Sequence, residues 1–173
     1  INLIKISTRS KPKKILNIST DKAVNPSTLY GTTKQLSERL TSWAGTIGQK
    51  TKFATVRLGN VFESQGNVFE IWNEQSSKGK EITITHPSMK RYFFHSDEAV
   101  DFILNCLEFV DKGEIFVPKM KLYEMQKLAN NISKKQKVIG IRQGEKFLES
   151  LLSEEEEKNS IEKKNMWVIK PHH

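Results

Sequence analysis

The sequence predicts an α/β fold built on a parallel sheet, and three observations carry that prediction. Short β-branched runs alternate with segments of helical length along the chain, the pattern of strands joined by right-handed crossovers. The run Ile15-Leu16-Asn17-Ile18-Ser19-Thr20 ends in small hydroxyl residues, which reads as a buried parallel strand with functional groups at its C-terminal end. Pro26 and Ser27 then open an amphipathic helix through about Ala44, with Leu29, Leu36, Leu40 and Trp43 as its apolar side.

Taken in order, residues 1–10 read as the end of a helix, with Leu3, Ile4 and Ile6 apolar, broken by Ser10 and Pro12. A strand at 15–19 and a helix at 27–44 follow, and Gly45 and Gly48 are read as ending that helix. Lys52 to Arg57 is the next buried strand, and Gly59-Asn60-Val61 leaves its end. A helix is expected at about 68–78, a short alternating strand at Ile82-Thr83-Ile84-Thr85 and a turn at Pro87. Phe93 and Phe94 run into Ser96-Asp97-Glu98, an N-cap and acidic first turn for a helix over 97–110. Glu114 to Val117 reads as a strand, 121–133 as a helix, 137–141 as a strand and Glu145 to Leu152 as a helix. The charged residues 154–165 read as frayed helix or loop, and Met166 to Ile169 as a last short strand. His172 and His173 receive no role.

Composition sets the outer bounds. The chain has 173 residues, 36% hydrophobic and 28% charged, enough for one ordinary globular domain with a sizeable core. No apolar run approaches the roughly 18–20 residues of a membrane span, and the N-terminus lacks the apolar stretch of a signal peptide. The single cysteine, Cys106, lies in an apolar helical run and reads as core in a reducing cytosol, so a cytoplasmic location is expected. The net charge of +8 invites a nucleic-acid partner, but the lysines are dispersed, with no recognition-helix pattern. The densest basic run (Lys11, Lys13, Lys14) lies in a connection and is countered by Glu154 to Glu157, so solvated charge is the expected reading and nucleic acid is not. His86 and His95 lack metal-ligand spacing with any Cys or Asp cluster, and no metal is expected.

The chemistry starts from Tyr30 and Lys34. Four residues apart, they emerge on one helix face. An ammonium beside a phenol favours phenolate, which lets tyrosine take a proton from an alcohol near neutral pH. Ser19 or Thr20 at the strand end can hydrogen-bond the same oxygen, while Asp21 and Lys22 offer a carboxyl group and an amine as acid and base. The plainer reading, a half-buried Tyr30 beside a solvated Lys34, applies to Tyr-x-x-x-Lys alone; the strand-end Ser-Thr-Asp-Lys reverses it.

Ser19-Thr20-Asp21-Lys22-Ala23-Val24-Asn25-Pro26 followed by Tyr30-Gly31-Thr32-Thr33-Lys34 resembles the extended short-chain dehydrogenase/reductase superfamily. Within it the match is to UDP-N-acetylglucosamine 4,6-dehydratases of the polysaccharide-biosynthesis (CapD-like) group. Arg57-Leu58-Gly59-Asn60-Val61, Gly66-Asn67-Val68, Met89-Lys90-Arg91-Tyr92-Phe93, Gly113 to Lys119 and Gly140 to Lys146 follow in the family's order, so the resemblance covers about Asn2 to Pro171. It implies a reaction that oxidises C4 of the sugar, removes the C5 proton and expels water from C6, with NADP or NAD taking and returning the hydride. Tyr30 would deprotonate the C4 hydroxyl, Lys34 would hold the nicotinamide ribose, and Thr20 would orient the C4 oxygen. Lys22 would be the C5 base and Asp21 the acid for the C6 oxygen, which requires a neutral amine and a protonated carboxyl. Ser19 and Leu58 join Tyr30 and Lys34 as cofactor contacts. Asn60, Gly66, Asn67, Val68, Thr83, Arg91, Arg142 and Glu145 match positions that contact the UDP-sugar. Plainer roles exist for three of these: surface ion pairs for Arg91 and Arg142, an N-terminal helix acid for Glu145. Tyrosine at position 30 fits the smaller, C5-inverting members, since many membrane-anchored relatives carry methionine there. The chain departs from the family at Gln65 (usually Arg), Gln143 (usually Pro) and Leu148 (usually His nearby), which bears on the exact sugar.

A nucleotide-binding sheet opens with a glycine-rich turn after its first strand, and this sequence contains none; Gly45 to Gly48 follows a helix. The resemblance therefore implies the C-terminal part of a Rossmann-type parallel sheet plus a small α/β substrate-binding lobe. On this reading 1–62 belongs to the cofactor domain and 63–173 mostly to the lobe, with 91–118 returning to the Rossmann sheet. The strand at 15–19 is expected to present a bare apolar edge, which leaves self-association open. The chain is expected not to turn over by itself. An epimerase or reductase of the same superfamily, and a noncatalytic remnant that binds a UDP-sugar or a partner, are the alternatives. The dehydratase reading requires Asp21, Lys22, Tyr30 and Lys34 to share one pocket.

Overall fold

The computed structural model describes residues 1–47 and 50–171, so Gly48, His172 and His173 lie outside the described residues. In chain order the elements are α1 (Asn2–Ser10), β1 (Lys14–Thr20), a 3-10 turn (Asp21–Ala23), α2 (Leu29–Thr46), β2 (Lys52–Leu58), β3 (Asn60–Val61), α3 (Val68–Ser77), β4 (Ile82–Ile84), β5 (Lys90–Phe94), α4 (Ser96–Phe109), β6 (Lys112–Pro118), β7 (Lys121–Glu124), α5 (Met125–Ile132), β8 (Gln136–Val138), α6 (Glu154–Asn159), β9 (Ser160–Glu162) and β10 (Met166–Ile169). They divide into two units: Ile1–Leu58 with Ala99–Lys119 and Ser150–His173, and Gly59–Glu98 with Met120–Glu149. Among the described residues no helix is long and apolar enough to cross a membrane.

The first unit holds a five-stranded sheet in the order β1-β2-β6-β10-β9. β1, β2 and β6 run parallel, as the alternating pattern requires. β10 runs antiparallel to both β6 and β9, so the sheet is mixed. The β9–β10 connection is a short hairpin closed by Lys163 N–H on Met166 O at 2.8 Å, which needs no helical crossover. β2 is the buried centre: Phe53, Ala54 and Val56 are fully enclosed. β1 is an edge strand and mostly half-buried, with Ser19 its one buried residue, so the buried-strand expectation holds for β2 and not for β1. Cys106 is buried on α4, and burial pushes its thiol up to about 12.

α2 corrects the amphipathic reading. Leu29, Leu36 and Trp43 are exposed, and the buried face is Gly31, Glu38, Thr41 and Ala44. The reason is close approach: a β-carbon on Gly45 would strike the backbone of Gly113 at the start of β6. Gly45 thus serves packing, and the helix continues through it to Thr46. Glu38 is buried because Arg57 of β2 meets it. Nε and Nη2 of Arg57 bond its carboxylate at 3.0 and 2.7 Å, and Nη1 and Nη2 bond Glu156 at 2.9 and 2.8 Å. Burial opposes the Arg57 charge, but the bonds from Glu156 and Glu38 overcome it and hold the guanidinium above its ordinary value. The charged run expected to fray forms α6 instead, because Glu156 both bonds Arg57 and closes a capping box with Ser153.

The second unit contains a three-stranded sheet, β3-β5-β7, and a two-stranded one, β4-β8. Its core is Trp72, Ile82, Ile84 and Ala129, with Val68, Phe69, Met125, Leu128 and Ile132 packed around it. Of the expected return over 91–118, only β6 joins the large sheet, while β5 pairs with β3 and β7. The helix expected over 121–133 begins at Met125; Leu122 and Tyr123 instead lie in β7, antiparallel to β5. The helix expected from Glu145 to Leu152 does not form. Phe147 O accepts from Lys90 N–H at 2.9 Å and Leu148 bridges Lys90, so the segment is tied to the start of β5.

Candidate active site

In the first unit the chain leaves β1 through a 3-10 turn that brings four polar side chains to one strand end. The register sets Ser19 opposite Arg57 and Thr20 opposite Leu58. These residues therefore sit at the carboxyl ends of adjacent parallel strands, where open α/β sheets bind ligands. Asp21 is completely buried; its Oδ1 accepts from Thr20 Oγ1 at 2.8 Å and from Lys22 Nζ at 3.1 Å. Its Oδ2 and the Ser19 hydroxyl are buried and, among the described residues, unpartnered. Each unpaired buried polar atom costs about 1–3 kcal/mol. Two at one strand end point to a purpose other than stability. Thr20, expected to orient a substrate oxygen, commits its proton to Asp21 and accepts from Lys22 N–H at 3.5 Å as the cap of the 3-10 turn. Leu58 is core at 6% exposure, so its side chain offers a ligand little surface.

α2 starts on Thr28, whose hydroxyl accepts from Gly31 N–H at 3.1 Å. That places Tyr30 in the first turn at 54% exposure, open to a ligand, with Lys34 one turn later donating from Nζ to Ile18 O at 3.1 Å. The helix is locked to the 3-10 turn at Gly31, where a β-carbon would strike the Lys22 carbonyl. Two clefts of this unit, one beneath Trp43 and Arg57 and one beside Leu16 and Leu36, include none of Asp21, Lys22, Tyr30 and Lys34. Lys22 pairs with Asp21, and the close approach of Gly31 to the Lys22 carbonyl sets the helix that carries Tyr30 and Lys34 against the turn that carries that pair. The nicotinamide end of a dinucleotide fits this strand end. The unpaired Ser19 hydroxyl suits a carboxamide, and the Tyr30 phenol and Lys34 ammonium suit ribose hydroxyls. No strand-end glycine-rich turn among the described residues offers a cradle for its pyrophosphate.

The second unit has its own cleft, about 250 Å³, and seven of the eight sequence-derived substrate contacts line it: Asn60, Gly66, Asn67, Val68, Thr83, Arg91 and Glu145. Asn60 Nδ2 donates to Tyr92 O at 3.0 Å, which fixes its amide and leaves Oδ1 available. Gly66 takes φ +70°, a conformation that glycine adopts freely, and its N–H donates to Glu70. Asn67 caps α3 by accepting from Glu70 N–H at 2.9 Å. The Arg91 side chain is 11% exposed, and its ion pair with Glu145 is largely withdrawn from the surface. Its Nη1 donates to Lys90 O and Phe147 O at 2.8 and 3.0 Å, and its Nη2 lies 3.5 Å from Glu145. Glu145 heads no helix; it sits in a turn and accepts from Arg142 N–H. Arg142 is exposed and does not line the cleft. Gln65, where the family usually has arginine, also lines it, as do His86 and Trp72, to which the sequence assigns no substrate role; Trp72 and Gln75, the α3 residues bonded to Thr83, carry no motif that marks them.

A family model described as "Polysaccharide biosynthesis protein" matches residues 1–171. The chain is 38% identical over 177 residues to a UDP-N-acetylglucosamine 4,6-dehydratase (inverting) of Campylobacter jejuni, covering 98% of this chain and 52% of that protein. It is 37% identical over 163 residues to a UDP-glucose 4-epimerase of Rickettsia bellii, covering 90% and 48%. The solved structure of Pen from Bacillus thuringiensis superposes with a TM-score of 0.90 at 30% identity, over 98% of this chain and 56% of that one. The chain thus spans about half the length of the proteins it matches.

Proposed function

The chain belongs to the polysaccharide-biosynthesis protein family, and we propose that it carries the reacting groups of a nucleotide-sugar 4,6-dehydratase, acting on UDP-N-acetylglucosamine in a protein of its relatives' full length. One observation carries the reading: a fully buried Asp21, paired to Lys22 and Thr20 through one oxygen with the other unpartnered. Reversible oxidation at a carbinol needs one base. Elimination needs a second base and an acid, and the Asp21–Lys22 pair supplies both in addition to Tyr30.

Ser19, Tyr30 and Lys34 would hold the nicotinamide end of NADP or NAD, which supplies the hydride acceptor when bound. Tyr30 takes the C4 hydroxyl proton, with the Lys34 ammonium one turn further along the same helix. Lys22 removes the C5 proton, which the C4 ketone acidifies. Asp21 donates to the departing C6 oxygen. Thr20 holds the Asp21 carboxyl and orients the C4 oxygen. In the second unit Arg91 supplies the cation for a diphosphate, and Asn60, Thr83 and Glu145 supply polar partners for the rest of a UDP-sugar. The single buried cysteine agrees with a reducing compartment, and the location in this reading is the cytoplasm.

The test is mass spectrometry of the sugar nucleotide after incubation of the full-length protein with UDP-N-acetylglucosamine. Loss of one water is expected, and Asp21→Asn is expected to halt the reaction after C4 oxidation, with reduced dinucleotide accumulating. The relationship to the Rickettsia bellii epimerase favours a second reading, in which Tyr30 and Lys34 serve epimerisation at C4. An isomerised product of unchanged mass would replace the dehydratase reading with that one.

A further inference from the structure

β4 is bonded to β8 along one side only. Ile82 N–H and Ile84 O take the ladder bonds to Lys135 and Ile139, so the N–H and C=O of Thr83, between them, face the other way. Two side chains of α3 meet those groups. Trp72 Nε1 donates to Thr83 O at 2.7 Å, and Gln75 Oε1 accepts from Thr83 N–H at 2.8 Å. Trp72 and Gln75 are three residues apart and share one helix face.

The bond to the backbone fixes the Gln75 amide. An N–H only donates, so the amide oxygen must face it and the amide nitrogen is left toward Thr83 Oγ1, 3.0 Å away. That nitrogen also only donates, so the hydroxyl oxygen is the acceptor in this contact. The reverse bond, from Thr83 Oγ1 to Gln75 Oε1, is longer at 3.4 Å and competes with the backbone N–H already held there. The hydroxyl hydrogen is therefore free to turn toward the cleft that Thr83 lines.

We propose that Gln75 is a positioning residue that makes the Thr83 hydroxyl a hydrogen-bond donor into the second unit's cleft, aimed at an oxygen acceptor of a uridine nucleotide. The inference rests on the reading of that cleft as the nucleotide-sugar site. Gln75 does not itself line the cleft; it acts through Thr83.

The experiment is calorimetric titration of the 173-residue chain with UDP. Gln75→Glu keeps an acceptor for the Thr83 N–H but turns the hydroxyl back onto its own carboxylate. It is expected to weaken UDP binding about tenfold, as is Thr83→Val, the worth of one hydrogen bond. The combined variant is expected to bind no more weakly than Thr83→Val alone, and Thr83→Ser to bind like the parent. Gln75→Met, uncharged and of similar length, gives the same dependence on Thr83 and decides the matter if Gln75→Glu does not fold. Losses that add in the combined variant show Gln75 acting through charge or packing and overturn the inference, as does unchanged binding by both Gln75 variants. No UDP binding by the parent chain overturns the reading of the cleft, and the inference falls with it. The same loss with uridine assigns the acceptor to the base, and a loss confined to UDP assigns it to phosphate; either supports the donor role.

Discussion

Gly31 lies against the Lys22 carbonyl so closely that no β-carbon fits between α2 and the 3-10 turn. The helix that presents Tyr30 is thereby set at a fixed height over the turn that presents Asp21 and Lys22. Gly31→Ala is expected to push the first turn of α2 outward, at a cost of about 1–3 kcal/mol, the usual penalty for overpacking. Thermal denaturation measures that cost. Turnover by the full-length protein should fall further than the loss of folded protein explains, because displacement of a catalytic group by about 1 Å costs up to ~100-fold.

Tyr30 is half exposed and contributes little to the core. Tyr30→Phe is expected to leave the melting temperature unchanged while lowering kcat of the full-length protein by about 100- to 10,000-fold, the range of a lost general base. Equal loss of stability and activity would assign Tyr30 a packing role instead.

Arg57, at 2% exposure, holds Glu38 of α2 and Glu156 of α6 on one guanidinium. Arg57→Met strands two carboxylates, one of them buried, and is expected to cost about 3–5 kcal/mol in chemical denaturation. Glu38→Gln, which keeps the shape and one bond, should cost less.

Glu63 accepts from Ser96 N–H and Oγ, both at 2.9 Å, and pairs with His95 Nδ1 at 2.7 Å, capping α4. The His95 and Ser96 bonds hold the Glu63 carboxyl down at about 2, and the Glu63 bond, with Glu98 and Asp97 nearby, holds His95 above its ordinary value. The His95 share of the cap is full below about pH 6.5 and fades as pH rises through the raised value. The Glu63 share is present above about pH 4.5 and is lost as pH falls toward 2. The cap should therefore be strongest between those two limits. In a proton NMR titration, Glu63→Gln should bring the His95 midpoint back down to the ordinary imidazole range.

In the proposed reading Ser19, Tyr30 and Lys34 hold the nicotinamide end of a dinucleotide, while the described residues include no strand-end glycine-rich turn for its pyrophosphate. NADP titration of this chain, followed by fluorescence, should give no tight complex. Stoichiometric NADP retained through gel filtration would show that another segment cradles the phosphates.

The site was legible where chemistry follows from short-range spacing. Tyr30 and Lys34 share a face because the helical repeat puts them there, and Asp21 and Lys22 meet because they are adjacent at a strand end. The cleft residues were legible through family resemblance, yet the structure separates Arg142 from the other seven. Gln75 was not legible, because its part depends on the open edge of β4, a property of sheet pairing.

By itself the sequence determined the alternation of strands and helices and the polar strand end followed by Tyr30 and Lys34. Local periodicity and adjacency are sufficient for those. Only the tertiary structure decided that α2 buries Gly31, Glu38, Thr41 and Ala44 instead of Leu29 and Leu36, that Leu148 bridges Lys90 instead of lying in a helix and that β10 turns antiparallel. Each of these depends on a long-range partner: the backbone of Gly113, the Lys90 edge and the β6 ladder. Such contacts outweigh local propensity because packing and hydrogen-bond satisfaction are worth more per residue than helix preference.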